Sequence, residues 1–164
     1  VPGLADTLGH AQATIRLAGT QALDAVGTPG ALQALEKTLD DTDREVRIAG
    51  VQALGKRGYK GALRRIEPVV QGKLPREIDL TERMRFFEAY ALIAGPGSME
   101  ILAAMLSPGG LFRRKETPEV RACAALAIGR LRTAEARELL QKYREDKELV
   151  VRNAVSRAIR EAGN

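Results

Sequence analysis

Apolar residues recur along this chain at i, i+3, i+7 and i+8, and the same spacing returns five times. Ile15-Arg16-Leu17-Ala18 leads to Ala22-Leu23, and Val46-Arg47-Ile48-Ala49 leads to Ala53-Leu54. Met84-Arg85-Phe86-Phe87 leads to Ala91-Leu92, Val120-Arg121-Ala122-Cys123 to Ala127-Ile128, and Val151-Arg152-Asn153-Ala154 to Ala158-Ile159. Those offsets fall on one stripe of an α-helix, so each copy predicts an amphipathic helix, termed A. With the Ile, Val or Met as position 0, position 7 is alanine in every copy. Neighbouring helices are expected to approach closely there.

The A helices are expected to start near residues 13, 43, 82, 118 and 147. Thr117-Pro118-Glu119 offers an N-cap, a first-turn proline and an acid suited to the helix dipole, and Thr42-Asp43-Arg44-Glu45 has capping-box spacing. Thr81 and Asp146 are the expected caps of the third and fifth, and Gly27, Gly58 and Gly163 stand where a left-handed stop belongs. Between them the pattern predicts B helices over 28–38, 60–71, 98–106 and 133–144, with Pro68 bending or shortening the second. Their expected core residues are Leu32, Leu35, Leu39, Leu63, Ile66, Val70, Ile101, Leu102, Met105, Ala136, Leu139 and Leu140. Val1-Pro2-Gly3-Leu4 echoes Thr28-Pro29-Gly30-Ala31, so the chain is expected to open on a B helix and to run B-A five times.

The (V/I)R-x-A-x-x-A-L motif and its unit of about 31 residues resemble the HEAT-like repeats of bacterial proteins, the subtype also found in phycobilisome-lyase subunits. The resemblance implies an all-α, right-handed α-solenoid of the armadillo/HEAT type, about ten helices in antiparallel A/B pairs. It spans nearly the whole chain, 1–164, as a single repeat domain expected to be a fragment of a longer chain. Such repeats serve as scaffolds, regulators, lyase subunits and DNA glycosylases, so the motif specifies the fold far more than the function.

Composition agrees with helices packed through small aliphatic side chains: of 164 residues, 45% are hydrophobic, 4% aromatic and none is Trp. One cysteine, Cys123, allows no internal disulfide, which fits a reducing cytoplasm. No apolar run reaches the roughly 18 residues of a membrane span, so no membrane insertion is expected. A net charge of +5 permits anionic partners without requiring them.

Little in the chain points to a reaction. His10 has no companion histidine, and Cys123 replaces the alanines of other copies at a core position. Asp40, Asp41 and Asp43 suit a turn and a helix cap better than a cation site. HEAT-like glycosylases hold damaged DNA with tryptophan, absent here, and nothing marks a bilin pocket. The expectation is no catalytic residues, no cofactor, no metal and no enzyme activity.

Arg16, Arg47, Arg85, Arg121 and Arg152 form a column at position 1. A planar five-donor group there is expected to bond loop carbonyls and acids of the adjacent repeat, such as Asp41, Asp43 or Glu119, with a ladder of anion sites as the alternative. Position-0 residues lie 31, 38, 36 and 31 apart, so surplus residues enter at 71–83 and 107–119 on one edge. Positions 2 and 6 turn apolar in the middle copies, as Phe86/Tyr90 and Ala122/Leu126. Either Leu74, Ile78, Leu80, Leu111 and Phe112 fold back over them, or Phe112, Phe86 and Tyr90 stay exposed as a contact patch within a basic rim.

The expected function is a non-catalytic interaction module. Its partner is another protein or another domain of the parent chain, bound on a concave B-helix surface or the inserted-loop edge through Arg64, Arg65, Phe86, Tyr90, Phe112, Arg113, Arg114 and Lys115. A nucleic-acid-binding solenoid is the less favoured alternative, since the loops are nearly charge-balanced. A lyase or glycosylase subunit is the second.

Overall fold

The computed structural model describes residues 2–73, 76–110 and 115–163. Ten α-helices alternate between B and A type among them. The B helices are α1 (Pro2–Asp6), α3 (Pro29–Leu35), α5 (Leu63–Val70), α7 (Met99–Leu106) and α9 (Ala134–Lys142). The A helices are α2 (Ala13–Val26), α4 (Arg44–Lys56), α6 (Leu80–Ala94), α8 (Pro118–Leu131) and α10 (Leu149–Ala162). The architecture is a HEAT/armadillo-type α-solenoid.

Thr28, Asp43, Asp79, Thr117 and Thr133 accept hydrogen bonds from first-turn amides of α3, α4, α6, α8 and α9. Asp79 therefore does what Thr81 was expected to do, and Asp43 rather than Thr42 caps α4. Before α10 the N-cap is Glu148, while Asp146 accepts from the Glu148 amide one step outside. Gly27 and Gly58 adopt the left-handed conformation, φ 62° and 61°, but Gly163 does not, at φ −83°.

The N-cap residues Gln12, Asp43, Asp79, Thr117 and Glu148 lie 31, 36, 38 and 31 residues apart. This register corrects the third copy by two residues: its position 0 is Glu82, not Met84. Helix packing agrees. A Cβ on Gly55 would lie 2.9 Å from the Cα of Ala89, and one on Gly129 would lie 2.8 Å from the Cβ of Ala158. Position 9 thus meets the alanine at position 7 of the next copy in both cases. Leu92, at position 10 in this register, is accordingly 43% exposed.

Successive A helices pack directly on one another, whereas successive B helices do not make comparable contact. In a curved two-layer stack the inner layer is the crowded one, so the A helices line the concave side. The expected concave B-helix surface is the convex side instead. Leu35, Leu39, Ile66, Leu102 and Leu140 are buried between the layers, but Ile101 points outward at 49% exposure.

Within the first surplus loop Ile78 packs on the core, as does Leu80 at the start of α6, and Arg76 Nη2 donates to the Leu39 carbonyl at 3.0 Å. Leu74, Leu111 and Phe112 lie outside the described residues. An 18-residue window within Leu80–Leu106 reaches a mean hydropathy of 1.4, yet the stretch breaks at Gly95, φ 70°. The 15 residues of α6 fall short of the roughly 20 that a bilayer-spanning helix needs.

The two ends of the stack differ. On α2 the face turned away from α4 carries Ile15, Ala18 and Ala22, which line an open groove with Leu4 and Thr7. The equivalent Val46 and Ala53 of α4 are buried. The outer face of α10 carries exposed Asn153, Ser156 and Arg160, with Leu149 at its edge.

Candidate functional site

Positions 6 and 10 of the A helices lie one turn apart along the concave side, with Gln21, Gln52, Lys56 and Leu92 exposed and Glu88 and Leu126 buried. They read Gln21, Gln52, Glu88, Leu126 and Arg157, then Ala25, Lys56, Leu92, Arg130 and Glu161. Clefts lie between successive A helices along this stripe. The first is lined by Gln21, Asp24, Gln52 and Lys56, among others. The second, of about 220 Å3, is lined by Gln52, Gly55, Lys56, Arg85, Glu88, Ala89, Leu92 and Arg130. The third includes Leu126, Gly129, Arg130 and Glu161. Shared residues Gln52, Lys56 and Arg130 join them into one groove.

Glu88, 5% exposed, is the centre of that groove. Arg85 Nη1 donates to its Oε2 at 3.0 Å, and Arg130 Nη2 stands 3.5 Å from its Oε1. The same Arg130 nitrogen is 3.7 Å from Glu161 Oε2, and Arg157 Nε donates to Glu161 Oε1 at 2.8 Å. The Arg157 bond holds the Glu161 carboxyl below its ordinary range. Glu88 Oε1 and Arg130 Nε are buried and make no hydrogen bond among the described residues. No sequence pattern marked Glu88 or Arg130 as site residues, and the mistaken register of the third copy put Leu92 in the core stripe. In the structural register, a charged residue at position 6 beside an apolar one at position 10 would have been the signal.

The residues expected to meet a partner are scattered. Phe86 and Tyr90 are 3% and 6% exposed, so burial removes both from any contact patch. Phe86 closes one wall of a cavity of about 240 Å3 with Leu39, Val69, Ile78 and Arg65. Arg64 donates to Glu36 Oε2 at 2.9 Å, and Arg65 pairs with Asp40. Lys115 is exposed, while Phe112, Arg113 and Arg114 lie outside the described residues.

In the position-1 column, Arg16 bonds Asp41 through Nε and Nη2 at 2.8 and 2.9 Å and donates from Nη1 to the carbonyls of His10 and Ala11. Arg47 bonds both oxygens of Glu82 and the carbonyls of Asp41 and Thr42. Arg121 bonds both oxygens of Asp146 and the Leu106 carbonyl, and Arg152 bonds the carbonyls of Asp146 and Lys147. Each side chain ties a helix to the connection at its own start, and three reach the next copy as well. Arg85 does neither. It sits at position 3 and bonds Glu88, and the position-1 arginine of the third copy is Arg83.

Burial pushes the Cys123 thiol up to about 12, which removes the thiolate needed for nucleophilic chemistry. His10 Nδ1 accepts from the Gln12 amide at 3.0 Å. Asp40, Asp41 and Asp43 face Arg65, Arg16 and the first turn of α4 respectively.

The sequence profile of the family described as HEAT repeats matches residues 1–77. The same A/B unit continues through the later described helices, so the HEAT architecture runs the length of the stack. A search of curated proteins found no match. Among solved structures, the complex of CpcE and CpcF of phycocyanin lyase from Nostoc sp. PCC7120 is similar at a TM-score of 0.63 and 20% identity, over 99% of this chain and 65% of that one. Human deoxyhypusine hydroxylase in complex with glycerol is similar at a TM-score of 0.52 and 16% identity, over 99% of this chain and 95% of that one. At these identities the likeness is one of fold. It nonetheless overturns the expectation that the chain is not an enzyme: the HEAT fold it shares is one on which a lyase and a hydroxylase are built.

Proposed function

We propose that this HEAT-repeat chain is an interaction module that seats a partner protein in the concave A-helix groove, over Leu92, Glu88 and Arg130. The observation that carries this reading is the exposed Leu92 beside the nine-tenths-buried Glu88 and the two arginines, Arg85 and Arg130, that face it. An apolar anchor next to buried polar groups, ringed by charges, has the anatomy of a binding centre. The nucleic-acid-binding alternative is less well supported, because Arg64 and Arg65 already face Glu36 and Asp40.

Affinity capture from the source cell tests this, with intact protein beside Leu92→Arg and Arg64→Ala/Arg65→Ala variants. Leu92→Arg is expected to lower the yield of the specific partner by at least about tenfold, with the other variant close to the parent. Equal capture by the parent and Leu92→Arg would remove the groove as the interface.

A further inference from the structure

The cavity of about 240 Å3 behind the first surplus loop shares no residue with the concave groove. Leu39, Val69, Ile78 and Phe86 give it an apolar lining. Backbone bonds bring the loop to it. Gly72, φ 78°, turns the chain out of α5, its amide donating to the Val69 carbonyl at 3.1 Å and the next amide, of Lys73, to the Pro68 carbonyl at 2.8 Å. Arg76 Nη2 then holds the Leu39 carbonyl at 3.0 Å. Lys73 and Arg76 are both fixed at the cavity in this way.

Charge selects what could enter. Besides these two cations, the charged side chains of the lining are Asp40, Arg65 and Glu82. Glu82 is bonded on both oxygens by Arg47, and Asp40 pairs with Arg65, which leaves Lys73 and Arg76 without a carboxylate partner among the described residues. The bond to Leu39 uses one of the five N–H donors of Arg76. An incoming cation would meet three positive side chains and two acids already neutralised. A purely apolar guest would strip water from two cations and give nothing back. A guest with one apolar end and one anionic end matches both halves of the lining.

Size selects further. The cavity is smaller than the roughly 300–1,000 Å3 of sites for drug-sized ligands, so a single ring or a short branched chain is what it holds. We infer that the cavity binds a free small monocarboxylate of that size. Its body lies against Leu39, Val69, Ile78 and Phe86, and its carboxylate is met by Lys73 and Arg76. A planar fork beside a flexible ammonium suits a carboxylate, the fork fixing its orientation and the lysine adjusting to it.

The test is an NMR titration of the intact, 15N-labelled chain with phenylacetate, 2-phenylethanol, 2-phenylethylamine and acetate. Saturable shifts at the amides of Val69, Lys73, Ile78 and Phe86 are expected with phenylacetate, at an affinity at least about tenfold above each of the other three. Lys73→Gln/Arg76→Gln should weaken phenylacetate by a similar factor while leaving 2-phenylethanol within about twofold of the parent, which separates loss of the anion contact from loss of the cavity. Equal affinity for phenylacetate and 2-phenylethanol, an unchanged phenylacetate affinity in the double variant, or no saturable shifts at millimolar concentration would overturn the inference. So would tighter binding of acetyl-Gly-Gly-Phe with a free carboxylate, which would make the cavity a seat for the chain end of a partner. Capture through Leu92 is read separately, and its outcome leaves this one untouched.

Discussion

The Arg47 guanidinium, on the second A helix, clasps the Glu82 carboxylate on the third, with Nη2 2.8 Å from Oε2 and Nε on Oε1. Glu82 occupies the place that Ile15, Val46, Val120 and Val151 hold elsewhere, and it is fully buried there. A carboxylate survives in that environment only because the guanidinium neutralises it and the remaining Arg47 donor is absorbed by the Asp41 and Thr42 carbonyls.

Breaking this pair from one side is expected to be costly. Glu82→Val restores the apolar residue of the other copies but strands Arg47, and should lower unfolding free energy by about 3 kcal/mol. Adding Arg47→Met should recover most of that loss. Urea denaturation of the two variants checks both statements; a Glu82→Val variant as stable as the parent would show that the pair contributes nothing.

The close approach of α4 and α6 gives a second expectation. In Gly55→Ala the new Cβ meets backbone at 2.9 Å, so the helices must separate, at a cost of about 2 kcal/mol. Gly30→Ala, which places its Cβ in open space within α3, should instead stabilise by about 0.5 kcal/mol. Thermal melts of the pair are decisive because the chemistry of the substitution is identical.

Acid sensitivity follows from Asp79. The Arg44 hydrogen bond, with the Glu82 amide, holds its carboxyl down to about 2, against roughly 3.9 in an unfolded chain. A depressed folded value means the contribution is complete above about pH 4 and disappears as pH falls toward about 2. Asp79→Asn keeps a good cap but cannot titrate, so its stability should decline less steeply across that window. Urea midpoints taken at several pH values below about 4 measure the difference; Asp41 and Asp146, also held below their ordinary range, keep the decline from vanishing.

Most of the solenoid is written in the chain because every copy carries alanine at position 7 and all but the third carry a branched apolar residue at position 0. The third copy hides its register for a physical reason. Glu82 carries charge at a core position, and Met84-Arg85 two residues later reproduces the Val-Arg pair closely enough to be taken for it. The same slip placed Leu92 in the core and made Arg85 a member of the wrong column. Which layer lies inside was not legible either, because an amphipathic stripe tells a helix which side to bury and says nothing of how tightly successive helices crowd. The groove emerged only once Glu88, Leu92 and Arg130 could be put on one surface by the corrected register.

The unlike ends of the stack bear on how copies of the chain meet. Head-to-tail contact would lay Asn153, Ser156 and Arg160 of one copy against the groove at Ile15, Ala18 and Ala22 of the next. Those polar groups would lose water and find only methyl groups in exchange. A repeated heterologous contact of that kind is what builds open filaments. Asn153, Ser156 and Arg160 therefore disfavour seating the α10 face of one copy on the α2 groove of another.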